Sequence, residues 1–306
     1  MFNLFTEMIN KINTTFSIKD LENLSGVKAH TIRIWEKRYN VLEPLRTDTN
    51  IRIYDLKSLQ KILNINFLQE YGYKISKIAT YSEDEIPSMV KSIVSHKNAK
   101  NLAINSFKIA MMNFDQELFF KTYNFLKEEK TFREIFHDVF VPFLEEIGGL
   151  WQSDTISPAH EHFVSHLIRQ LVISKIQEVA SVKRTKLNKV FVLSLPLNEI
   201  HDLGLLYLHF EVVNFGYKAV YLGESMPIEN LKDLKNHFPN IVFVSYFTVQ
   251  PENDEVEDYI KEMATELLDE TNEIWLLGRK VQDLEHNKLP ERVTVFESLI
   301  ELFHQL

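Results

Sequence analysis

From Lys189 onward the chain reads as short apolar runs, VFVLSL, AVYLG, IVFVSYF and EIWLLG, rich in Val, Ile, Phe and Tyr. Helix-like stretches alternate with them at Asp202–Phe215, Ile228–Asn236, Asp254–Glu270 and Val295–Leu306. Continuous apolar strands separated by amphipathic helices predict a parallel sheet covered on both faces, here a doubly wound, Rossmann-like α/β domain over residues 183–306. The basic stretch KRTKLNK at 183–189 is expected to be the linker into it. From Ser82 to about Val182, apolar positions recur three and four apart. That spacing predicts a helical bundle, of four-helix type, over residues 81–182, with Pro142 at a kink or near a helix end. Residues 1–80 differ again, as short helices with one extended basic loop.

Three such segments suit 306 residues of which 45% are hydrophobic, too long for one small core and too apolar for disorder. No stretch approaches the roughly 20 apolar residues that span a bilayer. The opening MFNLFTEMINKINTTF carries charge and no cleavage-like site, so a cytoplasmic protein without a membrane partner is expected. The absence of cysteine removes disulfides, thiolate nucleophiles and zinc fingers together. The net charge of -9 is unevenly distributed: residues 16–80 hold eleven Lys/Arg against seven Asp/Glu, +4, and residues 81–306 carry -13. A basic head can neutralise phosphates while an acidic body stays off a duplex.

In SIKDLENLSGVKAHTIRIWEKRY, Ser17 can cap a first helix with Asp20 three residues on, Gly26 supplies a tight turn, and a second helix runs from about Lys28 to Tyr39. Ile18, Leu21, Leu24, Val27, Ile32 and Trp35 form its buried side. Lys28, His30, Thr31, Arg33, Lys37 and Arg38 are left outside, where the front of a recognition helix meets base edges and phosphates. The following PLRTDTNIRIYD places Arg46, Arg52 and Tyr54 around a turn at Asn50, as a β-wing requires. Residues 16–80 thus resemble the MerR-type DNA-binding domain, in Trp35, Glu36, Arg38 and Tyr39 and in Arg52, Ile53 and Tyr54. The resemblance implies a winged helix-turn-helix, an operator of double-stranded DNA as partner, and a regulator rather than an enzyme. Asn50, where the family often has glycine, also tolerates a left-handed backbone.

Two further motifs carry chemistry. GGLWQSDTISPAHEH sets Trp151 nine residues before the pair Glu161–His162, and NEIHDLG follows VFVLSL directly. His201 therefore sits at the carboxyl end of a strand, the edge where doubly wound sheets bind ligands. A neutral imidazole there can ligate a metal through one nitrogen while the other donates to a carboxylate, Glu199 or Asp202. Gly204 would let the backbone approach a bulky ring. The plain alternative is a helix start whose acidic residues complement the dipole. His162 and His166, four apart, could bind zinc, but no third ligand is apparent; His160 does not share their face.

Residues 83–306 resemble a cobalamin-binding module, and the full order resembles the MerR-family cobalamin-dependent photoreceptor repressors of the CarH/LitR type. The motif E/D-x-H-x-x-G is present as Glu199, His201 and Gly204, and W-x(9)-E-H as Trp151, Glu161 and His162. The resemblance implies that His201 ligates the cobalt of adenosylcobalamin, or of another corrinoid, from below. Trp151, Glu161 and His162 would cover the upper face, so that the corrinoid lies between the helical cap and the α/β domain. It further implies that Ser245 helps to hold the nucleotide tail and that Gly278 leaves room for it. Arg279 stands where the family has a second glycine and would either obstruct the tail slot or turn outward. Phe243, Tyr246 and Phe247 make the slot more aromatic than a roomy pocket requires. Gln152 replaces a histidine that takes the cobalt after light in some members, so that adduct is not expected. The implied function is a regulator, a repressor, whose assembly as a ligand-dependent dimer or tetramer sets operator binding and responds to light. The rivals are a cobalamin-independent regulator controlled by a regulatory protein, and a corrinoid carrier or methyltransferase subunit.

Overall fold

The computed structural model describes residues 15–93, 99–180, 184–285 and 288–306. The opening residues, on which the expectation about a leader rests, and Lys183 of the expected linker lie outside them. The chain forms two compact units, Met1–Leu167 and Ile168–Leu306.

The first unit opens with α1 (Ile18–Ser25) and α2 (Ala29–Tyr39). Ser17 and Asp20 cap α1 reciprocally, and Gly26 ends it in the left-handed region at φ 74°. A two-stranded antiparallel hairpin follows, β1 (Leu45–Arg46) and β2 (Arg52–Ile53), in the register Arg46 opposite Arg52. Asn50 turns its tip at φ 63°. Then come α3 (Leu56–Glu70), α4 (Ile75–Ile78), α5 (Glu85–Ile93), α6 (Ala99–Met112), α7 (Gln116–Leu126) and α8 (Phe132–Ile135). A π-helical turn, Phe136–Phe140, leads into α9 (Val141–Gln152), whose first turn holds Pro142. A proline there needs no amide partner, and the widened turn before it accommodates the ring. Phe107, Phe119, Phe140 and Phe143 centre this helical core, with ring centroids 4.7 Å apart for 107–119 and 5.6 Å for 107–140.

Two ties join the head to these helices. Buried Lys108 of α6 donates to the carbonyl of Leu24, 3.3 Å, near the carboxyl end of α1, and pairs with Glu146 of α9. Asn23 donates to the hydroxyl of Thr155, 2.7 Å, in the loop that follows Trp151. A cation on the last carbonyls of a helix complements its dipole. Helix α10 (Pro158–Ala180) runs on across the boundary between the two units.

The second unit holds a five-stranded, all-parallel sheet in which the strands lie in the order 217–223, 186–194, 241–246, 273–277 and 293–295. Its elements are β3 (Lys186–Ser194), α11 (Leu203–Asn214), β4 (Tyr217–Gly223), α12 (Ile228–Leu231), β5 (Ile241–Tyr246), α13 (Val256–Leu267), β6 (Glu273–Leu277), β7 (Val293–Val295) and α14 (Leu299–Phe303). One core lies on the face of α11 and α14 around Phe191, Leu193 and Trp275; the other, around Phe243, Phe247 and Ile260, lies on the face of α12 and α13. The doubly wound sheet is as expected, with two differences. Lys186–Lys189 of the expected linker are the start of β3, and Val295 ends a fifth strand rather than beginning a helix. Among the described residues no helix is long and apolar enough to cross a membrane.

Candidate functional site

On the winged head, Lys28, His30, Arg33, Lys37, Arg38, Arg46 and Asn50 are exposed, and Thr31 and Arg52 are half-buried. Tyr54 is a correction: it is 1% exposed, bridges the backbone of Phe16, and is core rather than a contact for DNA. Its hydroxyl donates to Glu36 Oε1 at 2.5 Å, while Arg52 Nε donates to Glu36 Oε2 at 3.1 Å. Burial and the adjacent carboxylate push the Tyr54 phenol well above its ordinary value. Glu36 entered the sequence reasoning only as part of a motif; its role as an acceptor was not legible there, since its partners lie 16 and 18 residues away. It fastens the wing to the recognition helix. Arg46 binds the carbonyl and side chain of Asn50, closing the wing tip, and Lys28 reaches Glu22 at 3.2 Å.

Glu36→Ala leaves two donors without an acceptor and is expected to lower stability by about 2 to 3 kcal/mol, against about 1 for Tyr54→Phe. Chemical denaturation reads both, and equal losses would show that Arg52 contributes nothing to the clamp.

The α/β unit gathers its chemistry at the carboxyl edge of the sheet, where β3 and β5 lie side by side and the chain leaves them towards opposite faces. Glu199, fully buried, follows β3. Its Oε2 accepts the backbone N–H groups of Val249 at 2.6 Å, Gln250 at 2.8 Å and Thr248 at 3.3 Å, all on the loop after β5. Its Oε1 accepts the N–H groups of Ile200 and His201 and, at 2.6 Å, His201 Nδ1. Burial alone would raise this carboxyl, but the N–H groups of Gln250, Val249 and His201 and the imidazole outweigh it and hold the group down to about 2. An ionised carboxylate only accepts, so it fixes the proton on Nδ1 and leaves the lone pair on Nε2. The His201 side chain is 53% exposed, which makes that lone pair available to a metal.

The loop after β4 also joins this edge, with Ser225 N donating to the carbonyl of Glu199 at 3.2 Å. Of the two carboxylates that could have oriented the histidine, Glu199 does so. Asp202 instead accepts the Tyr221 hydroxyl at 2.7 Å and pairs with Arg169. The loops after β3 and β5 expose Leu197, Ile200 and Val249, an apolar surround for an exposed imidazole that suits a broad, flat ring.

The other implied contacts divide. In the helical unit, Trp151 is 56% exposed at the end of α9, an unusual setting for an indole that packs a core. His162 is exposed, with Nε2 3.6 Å from Glu161 Oε2, and Ser165 donates to Glu161 Oε1 at 3.2 Å. His160, whose imidazole burial shifts down, stacks on Phe114 at 4.7 Å.

Around the implied tail slot the chain occupies its own space. Ser245 is buried and donates to the carbonyl of Ser194 at 2.8 Å. A Cβ on Gly278, at φ 107°, would lie 2.3 Å from the carbonyl oxygen of Phe247. A Cβ on Gly204 would lie 3.2 Å from the Tyr246 ring, so the ring that Gly204 admits is that of Tyr246. Arg279 is exposed; the obstruction comes from the aromatic pair instead. The exposed His201 imidazole and the apolar Leu197, Ile200 and Val249 beside it therefore fit a corrin ring, whereas Ser245, Gly278 and Gly204 are already engaged by the chain's own backbone and by the Tyr246 ring.

Residues 16–85 match the model of the MerR HTH family regulatory proteins, and residues 103–173 match that of a B12 binding domain. These matches give the chain a head of the MerR HTH type followed by a B12-binding-type domain. It is similar to the HTH-type transcriptional repressor CarH of Myxococcus xanthus, 26% identical over 223 residues that cover 71% of this chain and 73% of that protein. It is also similar to the repressor CarA of the same organism, 24% identical over 233 residues, 71% of each. In fold it resembles the monomethylamine corrinoid protein of Methanosarcina barkeri, with a TM-score of 0.56 at 13% identity, over 69% of this chain and 98% of that one.

Proposed function

We propose that this chain is a cytoplasmic transcriptional repressor whose winged head holds an operator and whose response is set by a corrinoid with His201 as the lower ligand of its cobalt. The observation that supports this most is the Glu199–His201 pair: a buried carboxylate, anchored by two loops, fixes the imidazole with Nε2 exposed at the ligand-binding edge of a parallel sheet. The repressor part rests on the head and on the named relatives.

The adenosyl form is the finer proposal. Trp151, Glu161 and His162 are the residues offered to its upper ligand, and the exposed indole supports that role. When bound, an adenosylcorrinoid supplies a cobalt–carbon bond that light can break. The protein's own part is to aim Nε2, to present Leu197, Ile200 and Val249 to the ring, and to change its assembly when the ligand changes. A +4 head on a -13 remainder binds a polyanion weakly by itself, so joining heads in one assembly raises occupancy through effective concentration.

Size-exclusion chromatography with adenosylcobalamin, and with adenosylcobinamide beside it, in darkness and after illumination tests the reading. Corrinoid absorbance is expected to travel with the protein in darkness, to be lost in His201→Ala, and to change elution volume after light. A protein peak free of both corrinoids would sink the proposal.

A further inference from the structure

Which corrinoid the His201 face accepts depends on what lies beneath the imidazole. A cobalamin whose cobalt is taken from below by a histidine has released its own lower base, and the nucleotide tail then needs somewhere to go. The carboxyl edge of this sheet holds no room for it at the positions where the resemblance places it.

The filling is structural on both faces. Tyr246 leaves β5 towards the α11 face, joins the core there and lies against Gly204. Phe247, fully buried, turns into the opposite core and meets Tyr259 edge-on, with ring centroids 5.6 Å apart. Its amide donates to Leu277 at 2.8 Å, and its carbonyl accepts from the Lys280 amide at 3.2 Å. That stretch of backbone lies directly over Gly278 and explains why a glycine is needed there without any ligand. Lys280 Nζ closes the end of the loop on the carbonyl of Pro251, 2.8 Å. Opening this edge means breaking backbone hydrogen bonds and withdrawing two aromatic rings from separate cores, not turning one surface side chain. Above the same edge, by contrast, Nε2 of His201 and the exposed Leu197, Ile200 and Val249 stand ready.

We propose that His201 takes the corrin ring alone, so that the ligand is a corrinoid with no lower nucleotide, or with one left in solvent. This rests on the corrinoid reading above and narrows it. Cobinamide offers its lower face directly. Hydroxocobalamin must first give up its own base and recovers nothing by burying the tail.

The test is a visible-absorbance titration of the full chain with diaquocobinamide and with hydroxocobalamin. Cobinamide is expected to bind more tightly, by about tenfold, a difference of about 1.4 kcal/mol, and His201→Ala to weaken both. Tyr246→Ala, which clears the ring from Gly204, is expected to narrow the difference threefold or more; an unchanged difference in a folded variant counts against the proposal. Should that variant not fold, the two wild-type titrations decide. Tighter binding of hydroxocobalamin would overturn the closed slot and leave the corrinoid reading standing. Binding of neither compound would overturn that reading, and this inference with it.

Discussion

Glu199→Gln is expected to destabilise the protein by about 3 to 5 kcal/mol, the cost of breaking a buried, fully hydrogen-bonded charge, and to weaken any metal ligated by His201 by about 10- to 100-fold. Five backbone N–H groups and an imidazole converge on the two oxygens of this carboxylate. An amide offers one acceptor in place of two and sets its own N–H groups against theirs. For a unit of this size the midpoint of thermal unfolding should fall by about 10 °C.

The pH dependence separates the charge from the shape. The unfolded chain takes up this proton near pH 4.5, whereas the folded chain holds it off until about 2. The stability supplied by Glu199 is therefore complete above pH 4.5 and is lost as the pH falls towards 2. The difference between wild type and Glu199→Gln should shrink over that window by about 2 kcal/mol, allowing for screening by solvent. Urea denaturation at pH 6 and pH 3 measures it, and a difference that stays constant would mean that Glu199 is not the charge that matters.

Gly278→Ala is the second large effect, about 3 to 5 kcal/mol. The residue sits at φ 107°, where side chains are strained, and the new methyl would meet the Phe247 carbonyl oxygen at 2.3 Å and its carbonyl carbon and amide nitrogen at 2.7 Å. All three are backbone atoms tied down on both sides, so no rotamer change relieves them. The contrast is with Gly148 and Gly149, where a Cβ meets nothing within 4 Å. Alanine at either is expected to leave the stability within about 0.5 kcal/mol of wild type or to raise it. A Gly278→Ala protein as stable as wild type would show that the loop over it can move aside, and so that the edge can open.

Much of the architecture was legible because local pattern and tertiary role coincide. The runs VFVLSL, IVFVSYF and EIWLLG are strands buried on both faces, and their apolar continuity says so directly; AVYLG is a half-buried edge strand. Val293–Val295 escaped because three residues carry no period and lie just ahead of a helical stretch. In the head, Ser17, Gly26 and Asn50 have the conformations that their chemistry implies. Tyr54 did not behave as the pattern Arg46, Arg52, Tyr54 suggested, because the wing strand ends at Ile53 and the chain then pairs with Phe16.

The candidate site was legible at His201, whose place at the end of a strand follows from order along the chain. The carboxylate that orients it was narrowed only to Glu199 or Asp202, since the choice depends on N–H groups 49 to 51 residues further on. Non-local hydrogen bonds leave no periodic trace. The aromatic filling of Tyr246 and Phe247 was visible as composition, but which space those rings occupy is a matter of packing.

The ties from Lys108 to Leu24 and from Asn23 to Thr155 bear on how the head can be steered. A domain hung on a slack leash searches a volume, and only the length of the leash matters. Here the first helix of the head is clamped at its carboxyl end and pinned to the loop that follows Trp151, so a push on that loop reaches the head as displacement of one body. The head's aim, rather than its reach, is the quantity this connection can change.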